Sequence, residues 1–251
     1  MKQLQGRLKA NCSGQLLIVA ALAIALLISS TTAYVYELSE ETRASGMEQM
    51  GDLVFALKQG TRNTMISSLA NASNGGEKTL LATNLDKLSE VMRSIHSFGS
   101  CNLLFRTFND SLYDQGIRLS WNTTNMGVSS ASANFTLNVD NAAAEIVVNY
   151  DINVTTSLTV NGSSIDEGTE KLANLTCRVY NEDQSVLAEN IGVFYGNSGN
   201  WVQVDPSSLS TVDFGNGTYS LSFAVPSDTV QASIHVIDSR GVLVQAIYDL
   251  S

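Results

Sequence analysis

The stretch EIVVNYDINVTTSLTV, residues 145–160, decides the fold class of the larger part of this chain. Apolar and polar side chains alternate through it, and a period of two is that of a β-strand with one buried face. Asn153 lies on the polar side of this strand. The predicted inward side chains are Ile146, Val148, Tyr150, Ile152, Val154, Leu158 and Val160. We therefore expect an antiparallel sheet that buries one face and exposes the other.

The same alternation recurs on both sides of that stretch. In SANFTLNVD, residues 132–140, Asn134 points away from the apolar set, and Asn174 does so in KLANLTCRVY. From Arg106 onward Gly, Asn and Asp interrupt the pattern about every eight to twelve residues, which is typical of a β-sandwich. The early strands, residues 117–147, could join the later ones in one continuous sandwich, or the chain could form two small sheets.

The last hundred or so residues carry a family resemblance. In DFGNGTYSLSFAVPSD a Gly-Asn-Gly turn leads into a strand, and ASIHVIDSRGVLVQAIYDL is a hairpin that turns at Asp238 to Gly241. From about residue 148 to 251 the chain resembles a prokaryotic Ig-like module of cell-surface proteins. That resemblance implies an Ig-like β-sandwich. It departs from antibody-type domains because no cysteine faces Cys177 across the predicted sheets.

Before the strands, the apolar spacing is helical. One helix is predicted from Glu37 to about Leu69, and a second carries Leu81, Leu85 and Met92 in the same rhythm. The segment NASNGG, residues 71–76, separates them as a helix stop. The spacing therefore predicts an antiparallel helical hairpin within residues 37–105, with the first helix continuing an N-terminal one as a stalk.

The N-terminal region contains 21 residues without a charge, from Leu16 to Tyr36. This length suffices for a transmembrane helix. Basic residues precede the run and Glu37 follows it, so the positive-inside rule places the N-terminus in the cytoplasm. We expect a single-pass protein with the lipid bilayer as a partner and its body extracytoplasmic at the cell membrane. The alternative is a cleaved secretory signal that ends at Ala33.

The start of this run, SGQLLIVAA, resembles the processing site of archaeal type IV pilin-like precursors. In that family a peptidase cuts after the Gly, so Gly14 and Gln15 would flank the cut, and the apolar helix packs into a filament core or stays in the membrane. Ser13 stands where a basic residue is typical. Small residues that would line one helix face and allow homo-oligomers or contacts with other surface proteins are Ala21, Ala25, Ser29 and Ala33.

Glycosylation is predicted from the pattern Asn-x-Ser/Thr, which requires exposed acceptors. The candidate acceptors are Asn71, Asn109, Asn122, Asn134, Asn153, Asn161, Asn174 and Asn216. A further match, Asn11, lies on the predicted cytoplasmic side and should be unused. The alternative is a strand surface rich in Ser, Thr and Asn that carries no sugars.

Two cysteines follow the apolar run. A disulfide between Cys101 and Cys177 would tie the helical hairpin to the sandwich. Cys177 also fits an apolar alternation, so a buried core thiol explains it equally well.

The composition and motifs argue against an enzyme. A net charge of −10 repels phosphate backbones and therefore nucleic acid. His96 and His235 lie in contexts without convergent metal ligands, and no nucleophile elbow, phosphate loop or metalloprotease motif occurs. The pairs Asp166-Glu167 and Glu182-Asp183 are expected to be solvated turn charges. We expect no cofactor and no metal.

Together these patterns predict an α+β protein. Its segments are a basic leader at 1–15, a transmembrane helix at 16–36, a helical hairpin at 37–105 and a β-rich domain at 106–251. The predicted function is a membrane-anchored surface glycoprotein with a structural, adhesive or pilin-like assembly role. The alternative is a ligand-binding or sensing ectodomain without catalysis, and a cavity walled by Trp121 or Trp201 would favour it.

Overall fold

The computed structural model describes residues 24–31, 46–94, 100–140, 145–197 and 199–251. The chain divides into two compact units, Met1–Gly60 and Thr61–Ser251. In the first unit the described residues are helical: α1 covers residues 24–31, and the beginning of α2 follows. The second unit holds the end of α2 and all the strands described below, and it contains the candidate site.

The two longer helices lie where the apolar spacing predicts helices. α2 spans Gly46–Ser73 and α3 spans Leu80–Ser94. α2 ends at the predicted stop, where Gly75 has a φ of 95° that suits glycine. The Asn74 side chain donates to the carbonyl of Ala70 at 2.7 Å and so satisfies one carbonyl of the last turn.

Twelve strands occur in the described part of the chain. In chain order they are β1 Ser100–Thr107, β2 Ile117–Thr123, β3 Met126–Asp140, β4 Glu145–Asp166, β5 Glu170–Asn181, β6 Gln184–Ser185, β7 Ala188–Asn197, β8 Asn200–Gln203, β9 Ser210–Asp213, β10 Thr218–Pro226, β11 Gln231–Asp238 and β12 Leu243–Asp249. The first strand begins at Ser100, before the expected start of the β-rich domain at residue 106.

The strands form two sheets, and one strand spans most of the larger one. The eight-stranded sheet has the order β1-β3-β4-β5-β10-β9, with β2 also on β3 and β6 also on β5, and the four-stranded sheet has the order β12-β11-β7-β8. β4 is 22 residues long. It pairs with β3 from Glu145 to Thr159 and with β5 from Thr156 to Asp166. The early and late strands therefore share one continuous sheet.

The core of the sandwich lies between the late strands of the large sheet and the four-stranded sheet. Its buried side chains alternate along each strand, as the burial pattern of β5 and β10 shows. The largest members that are nearly inaccessible are Leu158, Leu175, Leu221 and Phe223. Burying apolar area of this extent is the main stabilising contribution to such a fold.

The helices of the second unit cover the early strands of the large sheet. Leu81 and Leu85 of α3 are fully buried, as are Met65 and Leu69 near the end of α2. The hydroxyl of Ser89 donates to the carbonyl of Leu103 in β1 at 2.8 Å. These contacts attach α3 to the sheet.

The expected fold class, an α+β protein with an N-terminal transmembrane helix and a helical hairpin stalk, is wrong. The described residues are mainly β-sheet. The helices occur, and Asn84 of α3 donates to Ser68 of α2 at 3.0 Å, but they do not form a stalk. Their apolar side chains are buried in the second unit because the early strands offer them an apolar face.

The prediction of a signal-anchored, single-pass membrane protein is also wrong. No helix within the described ranges is both long and apolar enough to cross a bilayer. The described residues of α1, 24–31, amount to about 12 Å of helix, against about 30 Å of hydrocarbon. α2 is longer, at 28 residues, but it contains Asp52, Lys58 and Arg62. The remainder of the predicted span at residues 16–36, and the leader at 1–15, lie outside the described residues.

Candidate functional site

The outward side of the large sheet consists mostly of hydroxyl and amide side chains, with Asp151 and Arg178 among them. We call its hydroxyl and amide residues the polar face. It arises from the alternation in β3, β4, β5 and β10, since every second residue points away from the core. The register sets these residues beside one another in neighbouring strands. The polar face consists of Ser130, Ser132, Asn134, Thr136, Asn153, Thr155, Ser157, Thr159, Asn161, Asn174, Thr176, Ser220 and Ser222.

One part of the polar face is organised around Ser130. Its hydroxyl donates to Oδ1 of Asn153 at 2.9 Å. The Thr155 hydroxyl lies 3.0 Å from the Ser130 hydroxyl oxygen, and the Tyr113 hydroxyl lies 3.1 Å from that Ser130 oxygen. Tyr113 belongs to the loop between β1 and β2, so this loop folds over the polar face and is fixed there.

Beside this loop lies a cavity of about 330 Å³, which we call the loop cavity. It lies where β1 ends, and Arg106 of β1 is paired with Asn134 of β3 in the register. Small-molecule sites in proteins begin at about this volume. The lining residues are Arg106, Thr107, Phe108, Asn109, Asp110 and Asn134.

Asp110 shapes the loop and carries a charge. Its Oδ1 accepts hydrogen bonds from the backbone N–H groups of Leu112 at 2.7 Å and Tyr113 at 2.8 Å. The hydrogen bond from Tyr113 and then that from Leu112 lower the pKa of Asp110, because both favour the carboxylate. Arg106 makes no ion pair with any described residue. The loop cavity therefore holds one carboxylate and one guanidinium whose donors are available.

The loop cavity also has an aromatic wall. Phe108 is 38% exposed, although a phenylalanine of this size is usually buried. Its ring centroid lies 6.1 Å from that of Tyr113, with a tilt of 46°. Tyr113 thus supports the Phe108 ring while part of that ring faces solvent.

The eight candidate glycosylation asparagines are all exposed. The structure brings Asn134, Asn153, Asn161 and Asn174 together on the polar face. The others are separate: Asn71 lies near the end of α2, Asn109 lines the loop cavity, Asn122 is in β2, and Asn216 is in the turn between β9 and β10. Their exposure fits acceptors, and glycosylation itself stays a prediction.

The structure does not bring Cys101 and Cys177 together, and both are free and buried. Cys101 pairs with Val139 of β3, which in turn pairs with Ile146 of β4. Cys177 pairs with Val160 of β4. Ile146 and Val160 are 14 residues apart on β4, which is about 45 Å along the strand, and a disulfide needs Cα atoms within about 7 Å. Burial raises the pKa of Cys177 to about 12 and also raises that of Cys101.

Several predicted residues lie outside the described residues: Gly14, Gln15, Ala21, Ala33 and His96. Their proposed roles stay predictions. Ala25 and Ser29 lie in α1 and are exposed, and their part in helix association is likewise a prediction.

The remaining candidate residues with aromatic rings are His235, Trp121 and Trp201. His235 lies 4.3 Å from Phe194 between ring centroids, and burial lowers its pKa to about 4. The indole N–H of Trp121 donates to Ser129 at 2.9 Å. Trp201 is 48% exposed on β8. Neither tryptophan lines the loop cavity, whose aromatic wall is Phe108.

An ion cluster at the middle of β4 could not be predicted from local sequence. Arg240 binds Glu182 and Asp238 at once, and Arg62 binds Glu182 at 3.0 Å. Burial by itself would raise the pKa of Glu182, but the hydrogen bonds from Arg240, the Thr155 backbone and Arg62 together outweigh burial and lower it. Glu182 was expected to be a solvated turn charge, and nothing in its local sequence points to a partner 58 residues away.

Within the described parts of the chain, no group of three or more metal-binding side chains converges. No protein-family model matches the sequence, and a search of characterised proteins finds no significant match either. The pilin-like and Ig-like resemblances therefore stay proposals, and the geometry above is the basis for a function.

Proposed function

We propose that this chain is a structural or adhesive module that acts by binding through its surface. The observation that carries the proposal is the polar face. From Ser130 to Asn138 on β3 and from Asn153 to Ser163 on β4, every outward residue is a serine, threonine or asparagine. Such a surface offers many neutral donors and acceptors at regular spacing, which suits a neutral, hydrogen-bonding partner.

The strand order supports an Ig-like module. β4-β5-β10-β9 in one sheet and β12-β11-β7-β8 in the other correspond to the A-B-E-D and G-F-C-C′ orders of immunoglobulin sandwiches. Sandwiches with this order are frequent in cell-surface and adhesive proteins, but a fold of this kind hosts many functions. The strand order is therefore consistent with the proposal, but the proposal rests on the polar face.

A ligand-binding role is the second candidate, and the loop cavity favours it. The cavity combines an aromatic ring, a guanidinium, a carboxylate and two amides, and convergent polar groups fix the orientation of the ligand in small-molecule sites. The two candidates are compatible, since a binding cavity within an adhesive surface would give that surface its specificity.

The proposal is tested by co-sedimentation of the purified chain with insoluble neutral polysaccharides, with light scattering of the chain alone to detect self-association. Thr176→Lys places a charge on the polar face, and Gln203→Lys places the same charge on β8 of the other sheet. We expect retention or self-association by the wild type and by Gln203→Lys, and at least a fivefold loss for Thr176→Lys. A wild type that neither associates nor sediments, or an unaffected Thr176→Lys variant, would refute the role of the polar face.

A further inference from the structure

The loop cavity has the side chains that recognise a sugar ring. We propose that it binds one hexopyranose ring of a neutral saccharide. The inference rests on the proposed adhesive function and names its ligand. The first reason is size: the cavity measures about 330 Å³, at the lower end of the range for small-molecule sites, so it suits one or two rings and not a large cofactor.

The second reason is the exposed aromatic ring. A pyranose has one face of C–H groups and an equator of hydroxyls. Aromatic faces carry partial negative charge, so the C–H face of the sugar stacks on the accessible part of Phe108. The Tyr113 ring packs beside that ring, with centroids 6.1 Å apart, and its own hydroxyl is held by Ser130, so the platform is in place before a ligand arrives.

The third reason is the arrangement of polar groups around that platform. Arg106 and Asn134 are cross-strand partners, so their side chains leave the sheet next to each other. The guanidinium offers several planar donors, and an asparagine amide offers both donors and an acceptor. Adjacent hydroxyls of a sugar need this mixture, because each hydroxyl donates one hydrogen bond and accepts others.

The loop cavity carries one negative and one positive side chain, so its charges sum to zero. Asp110 is held as a carboxylate by two backbone N–H groups, and Arg106 contributes one positive charge. Because Asp110 and Arg106 carry opposite charges, an acidic or an amino sugar would be attracted by one of them and repelled by the other. A neutral hexose uses both groups as hydrogen-bond partners.

The ring has two sources with the same chemistry. It could be a free saccharide, or it could be the first sugar attached to Asn134, which lines the cavity and is a candidate acceptor. An attached sugar would occupy the loop cavity and exclude a free one. The two sources therefore make opposite predictions for protein that is modified at Asn134.

The test uses the full chain from a host without N-glycosylation, followed by NMR during titration with methyl α-mannopyranoside and methyl β-glucopyranoside. Single rings bind with dissociation constants of about 1 mM or weaker, so the titration extends to about 50 mM. We expect saturable shifts with at least one probe. Phe108→Ala and Arg106→Gln should each weaken binding at least tenfold. Phe214→Ala, which removes a ring that is 59% exposed outside the cavity, should leave the affinity unchanged.

No saturable shift with either probe would overturn the proposal, and so would an affinity that Arg106→Gln leaves intact. Arg106 is exposed, so that variant folds even if Phe108→Ala does not. Protein carrying a sugar on Asn134 should no longer bind the free probe, and equal binding by modified and unmodified protein would refute this placement of the ring. If polysaccharide retention persists while the monosaccharide arm fails, the adhesive function stands and the cavity assignment falls.

Discussion

Arg240 holds both carboxylate oxygens of Glu182 with one nitrogen: Nη1 lies 2.8 Å from Oε1 and 3.1 Å from Oε2. Its Nε donates to Asp238 at 3.0 Å, and its Nη2 donates to the carbonyl of Thr155 at 3.0 Å. The cluster thereby joins the turn after β5, the turn after β11 and the middle of β4. It lies at the place where β4 gains β5 as a second neighbour.

Removing this guanidinium should destabilise the second unit. Arg240→Met keeps much of the side-chain volume but leaves Asp238, whose side chain is fully buried, without its cation. Breaking a buried ion pair by removing one partner costs about 3–5 kcal/mol. We expect a loss of about 3 kcal/mol in the free energy of unfolding, measured by urea denaturation at pH 7.

Arg178→Met is the matched control, because Arg178 is exposed on β5 and forms no ion pair with any described residue. It should change stability by less than about 0.5 kcal/mol. Equal effects of the two substitutions would show that the cluster contributes no more than a surface charge.

His235 should make stability depend on pH. Burial lowers its pKa from 6.5 to about 4, so the unfolded chain takes up a proton more readily than the folded protein. This contribution is complete above pH 6.5 and is lost as the pH falls from 6.5 towards 4. Because the ring is only partly buried, we expect a loss of about 1 kcal/mol between pH 7 and pH 5.

The measurement is urea denaturation at both pH values, for the wild type and for His235→Phe, which keeps a ring beside Phe194. The variant should lose less stability than the wild type on going to pH 5. If the two proteins change in parallel, His235 is not the group responsible.

Gly127 allows the hairpin of β2 and β3 to approach the edge strand β12. A Cβ at this position would lie 1.8 Å from the carbonyl oxygen of Gln245, which is backbone. Gly127→Ala must therefore separate the strands, and overpacking of this kind costs about 1–3 kcal/mol or more. Thermal unfolding should show a clearly lower midpoint.

Gly196→Ala serves for comparison, because a Cβ there meets nothing closer than 3.8 Å. Its effect should stay within about 0.5 kcal/mol. A Gly127→Ala protein as stable as Gly196→Ala would mean that β12 is not held as closely as the structure has it.

The two thiols of the strands should react only after unfolding. Cys101 is 8% exposed and Cys177 is not exposed at all, and burial raises the pKa of both, so little reactive thiolate forms. The third cysteine of the sequence, Cys12, is replaced by serine so that only these two thiols are counted. In this Cys12→Ser variant we expect no alkylation of native protein by iodoacetamide and two alkylations in urea without a reductant, counted by mass spectrometry. A product in urea that requires prior reduction would reveal a disulfide.

Local patterns predicted the strands well because burial of one face imposes a period of two on the residues themselves. In β4 the predicted inward residues Val154, Leu158 and Val160 are buried, and Asn153 is exposed. The helices around Met65 and Leu85 were predicted from their spacing because burial of one helix face imposes a period of about 3.6 residues.

The features that could not be predicted depend on contacts between residues distant in the sequence. The partners Glu182 and Arg240 are joined by long-range pairing of strands, which no local pattern records. The loop cavity needs Phe108 and Asn134 to meet through the register of β1 on β3. Charge and apolar spacing at residues 16–36 favoured a membrane span, but none of the described helices is long and apolar enough to be one.

The length of β4 has a mechanical consequence. Its first residues are hydrogen-bonded to β3 and its last to β5, so a load applied at one end of the large sheet reaches the other along a single covalent segment. Cutting the chain near Thr155 would leave each fragment with an incomplete sheet and an unpaired strand edge. The Thr61–Ser251 unit should accordingly melt in one cooperative step, and limited proteolysis should not divide it into two folded pieces.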